Sequence, residues 1–147
     1  MAVTEFYKFH GTGNDFIIIP DPDSVFPSGG DLSVEKISGL CHRRYGIGAD
    51  GLILLRSSKE AHFSMLYYNA DGRPGTMCGN GGRCVAALAY MLKLAPASMG
   101  FMASDGLHHA QVTEADDNQF MVTVQLNNTS VPMQRNDMML LNTGSPH

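Results

Sequence analysis

The chain has 147 residues, of which 44% are hydrophobic, and this size and composition predict one folded unit with its own core. A formal net charge of −4, with Arg43-Arg44 as the one adjacent basic pair, argues against binding to nucleic acid. No apolar run approaches the length of a membrane span, and charges near the start do not fit a signal peptide, so we expect a cytoplasmic protein.

Short apolar or alternating runs, bounded by Gly, Pro, Asn and Asp, predict seven strands and hence a strand-rich chain. They are Thr4–Phe9, Phe16–Pro20, Gly51–Arg56, Phe63–Tyr68, His109–Thr113, Phe120–Leu126 and Met138–Asn142.

The first loop, His10-Gly11-Thr12-Gly13-Asn14-Asp15-Phe16, joins the first two predicted strands. Its glycines suggest a phosphate-binding loop, but GxGxxG is incomplete, no Gly-Lys-Ser/Thr follows, and a strand comes next instead of a helix. We therefore favour a tight turn in which Asn14 and Asp15 hydrogen-bond their own backbone.

A first helix is predicted after the second strand, because Val34, Ile37 and Cys41 fall at helical spacing. Its N-cap would be Asp31 or Ser33, and its last turn would be the basic residues 42–44. In the loop that follows, we expect Gly46 to be the C-cap and Asp50-Gly51 to form a turn.

The third loop, Asn69–Gly79, places eleven irregular residues between a strand and a helix, and loops of this length are often functional. The helix predicted over residues 82–94 is apolar nearly all round, so strands should enclose it. The predicted fold class is therefore α/β of the α+β type, with a mixed, mostly antiparallel sheet curled around a central apolar helix.

Cys78 lies at the start of this helix, where unpaired N–H groups and the helix dipole favour a thiolate. The bare N–H groups of Gly79 and Asn80 could bind a carboxylate there, which suggests proton abstraction alpha to that carboxylate. Cys41 and Cys84 lie within helical patterns, and we interpret them as reduced core residues. The six histidines lack the HExxH or CxxC spacing of metal sites, so no metal site is predicted.

Three groups of residues occur in a fixed order along the chain. They are Lys8-x-His10-Gly11-x-Gly13-Asn14-Asp15-Phe16, Gly46-Ile47-Gly48-Ala49-Asp50-Gly51, and Asn69-Ala70-Asp71-Gly72 with Met77-Cys78-Gly79-Asn80-Gly81-x-Arg83-Cys84. Together they resemble the pyridoxal-phosphate-independent diaminopimelate epimerases, and Thr143-Gly144-Ser145-Pro146-His147 extends the likeness to the last residue. The resemblance implies two similar α/β domains related by a pseudo-twofold axis, with the active site in the cleft between them.

The implied reaction converts LL-diaminopimelate to the meso isomer, a step in lysine and peptidoglycan precursor synthesis. It uses no cofactor, since one cysteine removes the alpha proton and another delivers a proton from the opposite face. Carried over residue by residue, the catalytic positions are Cys78 and His147, and the substrate-binding positions are Asn14, Asn69, Gly79, Asn80 and Ser145. Diaminopimelate is thus the implied small-molecule partner, and the family often forms homodimers.

The chain departs from the family pattern at Gly51, where many relatives carry a substrate-contacting glutamine, and at Ser145, where many carry asparagine. The second catalytic cysteine belongs to the family's other half. We therefore expect residues 1–131 to form an N-terminal half-domain and residues 132–147 to begin a second domain, and we expect the chain alone to be inactive.

Three alternatives remain open. A proline-racemase-like isomerase of the same fold is disfavoured by Asn80, where those racemases carry histidine, and a phenazine-pathway isomerase is disfavoured by Cys78 itself. The third alternative is a non-catalytic module that binds an anion or an amino acid.

Overall fold

The computed structural model describes residues 4–24 and 33–142. Their elements are β1 (Tyr7–Gly11), β2 (Asn14–Pro20), α1 (Val34–Cys41), β3 (Gly51–Arg56), β4 (Phe63–Asn69), α2 (Gly79–Met91), β5 (Ser98–Ala103), β6 (Gly106–Asp116), β7 (Gln119–Gln125), β8 (Met133–Arg135) and β9 (Met138–Leu140). Strands β1 to β7 form one sheet in chain order, and β8 pairs with β9 in a separate sheet. No helix in the described ranges is long and apolar enough to cross a membrane.

The seven-stranded sheet is mixed. The β2–β3 and β4–β5 pairs are parallel, and each is connected through a helix, whereas the other four neighbouring pairs are antiparallel. Although β1 and β7 lie at opposite edges of the sheet, both contact α2, so the sheet must curl around that helix. The predicted fold class is confirmed.

Apolar side chains on both faces of β2 and β3 explain why the sheet has a helix on each side. Alternate residues face the α2 side, namely Phe16, Ile18, Ile53 and Leu55. The residues between them pack with Ile37 and Cys41 of α1, namely Ile17, Ile19, Leu52 and Leu54. As a result, every residue of β3 is buried.

Helix α2 is enclosed as predicted, but it spans Gly79–Met91 instead of residues 82–94. It starts earlier because Cys78 has extended backbone and acts as the N-cap, which leaves the glycines inside the first turn. It ends earlier because Lys93 adopts a φ of 59°. The N–H groups of Lys93 and Leu94 then bond to the carbonyls of Tyr90 and Ala89, which closes the helix as a Schellman motif.

Helix α1 has Ser33 as its N-cap, and the Ser33 side chain accepts a hydrogen bond from the Lys36 N–H. Asp31, the other N-cap candidate, lies outside the described residues. The C-cap is His42, so the predictions of Gly46 as C-cap and of a basic last turn are wrong. The loop satisfies the last carbonyls instead, since the N–H groups of Ile47 and Gly48 both bond to the carbonyl of Leu40.

All seven predicted strands are present, β3 with the predicted ends and the other six with ends displaced by a few residues, but β5 and β8 were not predicted. The sequence of β5, Ser-Met-Gly-Phe-Met-Ala, contains small residues that strands usually disfavour. Its strand character comes from tertiary packing, because Met99 and Phe101 are buried in the core around α2.

Candidate active site

The β1–β2 hairpin presents Asn14 at its tip. Thr12 and Gly13 both have positive φ, 54° and 89°, as a two-residue type I′ turn requires, and Gly11 pairs with Asn14 to close it. The predicted tight turn is therefore correct. The predicted self-capping is wrong, because the side chains of Asn14 and Asp15 reach across to other elements.

A charged cluster holds this hairpin against the loop between α1 and β3. The Asp15 carboxylate lies 2.8 Å from both Lys8 Nζ and the Arg43 guanidinium, and Arg43 also lies 2.9 Å from Asp50. The bond from Arg43 holds the pKa of Asp15 well below its usual range, and the same pairing raises the pKa of Arg43. The Asp50 N–H donates to the Asp15 carbonyl at 2.9 Å, so Asp50-Gly51 docks onto the hairpin and does not form the predicted turn.

The loop leading to Cys78 begins as a tight turn instead of an irregular segment. The Gly72 N–H donates to the carbonyl of Asn69 at 2.9 Å, and the Asn69 N–H donates to the carbonyl of Arg73 at 2.9 Å. Gly72 has a φ of 86°, and a Cβ there would collide with the Val34 carbonyl. The turn therefore requires glycine and fixes the loop against α1.

Cys78 caps α2 with its backbone and leaves its thiol free for other contacts. Its side chain makes no capping hydrogen bond, while its carbonyl accepts from the Gly82 N–H at 2.8 Å. The half-buried thiol donates to Asn14 Oδ1 over 3.7 Å, and Asn80 Nδ2 donates to the same oxygen over 3.1 Å. The hairpin tip and the start of α2 thus bring Asn14, Cys78 and Asn80 together.

Tyr67 occupies the space beside Gly51. A Cβ on Gly51 or on Gly75 would lie 2.5 Å from the Tyr67 ring, so the ring requires glycine on both sides. The Tyr67 hydroxyl donates to Asn69 Oδ1 over 3.1 Å, and burial raises the pKa of Tyr67 to about 12. In this chain, Tyr67 fills the position that a side chain at residue 51 would take.

The other two cysteines lie in the core as predicted, each 3% exposed. Burial raises the pKa of the Cys84 thiol to about 12 and also raises that of Cys41. Within the described ranges, no group of His, Cys, Asp and Glu is arranged to hold a metal ion.

The predicted site residues therefore divide into three groups. Asn14, Cys78, Gly79 and Asn80 lie together, Asn69 is held by Tyr67, and Ser145 and His147 lie outside the described residues. Sequence reasoning missed Asp50, Arg83 and Tyr67 as neighbours of these groups. Asp50 and Arg83 both fall within the family-like motifs, which was the available signal, but the motifs indicate no contact partner for either residue.

Comparison with known proteins gives a consistent family. A family model described as diaminopimelate epimerase matches residues 6–131. The diaminopimelate epimerase of Flavobacterium psychrophilum is 46% identical over 141 residues, covering 96% of this chain and 52% of that protein. The diaminopimelate epimerase of Aquifex aeolicus is 34% identical, covering 97% of this chain and 55% of that protein. The chain thus spans about half the length of these curated relatives.

Solved structures match at the level of the fold. A probable proline racemase from Agrobacterium radiobacter aligns with a TM-score of 0.66 at 13% identity, covering 91% of this chain and 46% of that one. A phenazine biosynthesis protein from Bacillus anthracis aligns with a TM-score of 0.62 at 14% identity, covering 86% of this chain and 41% of that one.

Proposed function

Because this chain belongs to the diaminopimelate epimerase family, we propose that it supplies one half of an active site that inverts an alpha carbon of diaminopimelate without a cofactor. The observation that carries the proposal is the position of Cys78. Its thiol makes no capping hydrogen bond at the N-terminus of the enclosed helix and instead contacts the Asn14 amide.

Inversion at an alpha carbon requires a base on one face and an acid on the other. Cys78 is the proton-transfer group on one face, and a thiol and a thiolate can exchange these roles for the two stereoisomers. The N–H groups of Gly79 and Asn80, at the positive end of α2, stabilise the negative charge that develops when the proton leaves. The second thiol is proposed to lie in the other half of a protein as long as the curated relatives.

The remaining site assignments belong to the same proposal. Asn14, Asn69 and Ser145 bind the substrate, and His147 assists Cys78. Residues 1–131 form the half-domain that carries Cys78, and residues 132–147 begin the second domain. The end of the family match at residue 131 and the separate sheet of β8 and β9 support this division.

We further propose that the protein is cytoplasmic, that it forms a homodimer, and that it acts in the synthesis of lysine and of a peptidoglycan precursor. The names of the curated relatives support the substrate, since both are called diaminopimelate epimerases.

The test uses the longest natural reading frame that contains these residues, assayed with LL-diaminopimelate and, as a control substrate, L-proline. We expect conversion to the meso isomer, no racemisation of proline, and a loss of at least about 100-fold in kcat for Cys78→Ala, the scale of one general acid or base. Cys84→Ala is the matched control and should retain activity, because Cys84 is buried in the core. Retention of full activity by Cys78→Ala would contradict the proposal.

A further inference from the structure

Four side chains form a hydrogen-bonded row beneath Cys78. The Arg83 guanidinium donates to Asn80 Oδ1, and Asn80 Nδ2 donates to Asn14 Oδ1 over 3.1 Å. Asn14 Nδ2 then donates to Asp50 Oδ2 over 2.9 Å. The row joins the first turn of α2 to the residue before β3 and has two asparagine amides in its middle.

The two ends of the row fix its direction. A guanidinium can only donate hydrogen bonds, and a carboxylate can only accept them, whereas an asparagine amide can do either after a flip. Asp50 is also ion-paired with Arg43 at 2.9 Å. With a donor at one end and an acceptor at the other, only one orientation of each amide satisfies every bond.

This direction determines which atom of Asn14 faces the thiol. Oδ1 of Asn14 lies 3.7 Å from Cys78 Sγ and accepts its S–H. A flipped Asn14 would present Nδ2 to the sulfur instead, and an N–H donor stabilises the thiolate. The orientation of one amide therefore decides whether the sulfur faces a hydrogen-bond acceptor or a donor.

We propose that Asp50 and Arg83 are positioning residues that act through Asn14 and Asn80 to keep Cys78 as a thiol, the proton-donating form, when no substrate is bound. This inference rests on the proposed function, in which one of the two proton-transfer groups must carry a proton before each turnover.

The test is a double-mutant cycle on the alkylation rate of Cys78 by iodoacetamide at neutral pH, read by mass spectrometry. Asp50→Asn keeps the shape of the side chain but removes the acceptor-only end, and Arg83→Met removes the donor-only end. Either variant alone leaves the other end to fix the amides. In the double variant both amides are free to flip. Cys78 should then be alkylated about tenfold faster than the product of the two single effects predicts, a factor that corresponds to about one hydrogen bond.

Loss of charge alone should behave differently, because the effects of two separated charges add. The control pair is Asp116→Asn with Lys93→Met, two exposed residues away from the row, whose effects on the alkylation rate should simply multiply. Simple multiplication in the Asp50 and Arg83 cycle, in variants shown to be folded by circular dichroism, would overturn the proposal.

A second measurement needs no variant of the row. In NMR spectra of the unmodified chain, the Cys78 Hβ protons should show NOEs to the side-chain NH2 protons of Asn14 and of Asn80. The NOE to Asn14 should be no stronger than the NOE to Asn80. A dominant NOE from the Asn14 NH2 group would show the opposite amide orientation and overturn the proposal. Neither experiment uses substrate, so failure here is distinguishable from failure of the epimerase assay.

Discussion

The Tyr67 ring, packed between Gly51 and Gly75, leads to a prediction at the scale of single residues. At Gly75 the nearest atoms to a new Cβ belong to the Tyr67 ring, whereas at Gly51 the backbone carbonyl of Tyr68 also lies only 2.7 Å away. We expect Gly75→Ala and Gly51→Ala each to lower the free energy of unfolding by about 1–3 kcal/mol, the usual cost of overpacking. In a Tyr67→Ala background, the cost at Gly75 should largely disappear and the cost at Gly51 should persist.

Urea denaturation of the single and double variants measures both costs. Gly39→Ala, in α1, is the matched control, because a Cβ there meets no atom within 4 Å and alanine favours a helix. An equal cost for Gly75→Ala with and without the Tyr67 ring would show that the ring is not the obstacle.

The location of the thiol could be predicted from the sequence, but the contacts between the site residues could not. Cys78 was placed at the start of a buried helix from its glycine-rich neighbours and the apolar run that follows. Its contact with Asn14 joins residues 64 apart in the chain, and the bond from Asn14 to Asp50 joins residues 36 apart. Contacts of this kind depend on the parallel pairing of β2 with β3, which no local pattern specifies.

At the scale of elements, the docking of the β1–β2 hairpin onto the α1–β3 loop should depend on pH. The pKa of Asp15 is lowered mainly by its bond to Arg43, so the ionised form stabilises the folded chain. A depressed carboxyl pKa contributes stability that is complete above the unfolded value of about 3.9 and is lost as the pH falls toward the folded value. We therefore expect the free energy of unfolding to fall as the pH is lowered below about 4.

Urea denaturation between neutral and strongly acidic pH tests this docking. Asp15→Asn should be less stable at neutral pH and should show a shallower decline in acid, while the exposed control Asp23→Asn should retain the slope of the unmodified chain. An unchanged acid slope in Asp15→Asn would mean that this ion pair does not hold the hairpin.

The elements themselves were predicted best where local chemistry decides them. The six residues of β3 were predicted with correct ends because an apolar run lies between polar residues. The strand β5 was missed because its burial, and not its own propensity, makes it a strand. The end of α2 was misplaced because Lys93, a residue seldom found at positive φ, forms the reversal that glycine usually forms.

At the scale of the whole molecule, the curled sheet encloses most of α2, up to Ala89, and leaves the thiol at the start of the helix half-buried. The two other thiols are in the core, so among the described residues Cys78 is the one cysteine that is not buried. One proton-transfer group on one face can remove and return a proton, but it cannot deliver one to the opposite face. Under the proposed mechanism, exchange and inversion would therefore be separable reactions for this chain.

We predict that the 147-residue chain alone forms no meso isomer from LL-diaminopimelate, whereas the longest reading frame that contains it does. Both proteins would be incubated with substrate in D2O and followed by chiral chromatography and by NMR of the alpha position. Any deuterium that the shorter chain incorporates should appear with retention of configuration, because the proposed mechanism places Cys78 on one face of the alpha carbon only. Formation of the meso isomer by the shorter chain at the rate of the longer protein would refute a mechanism divided between two halves, because every group needed for inversion would then lie within these residues.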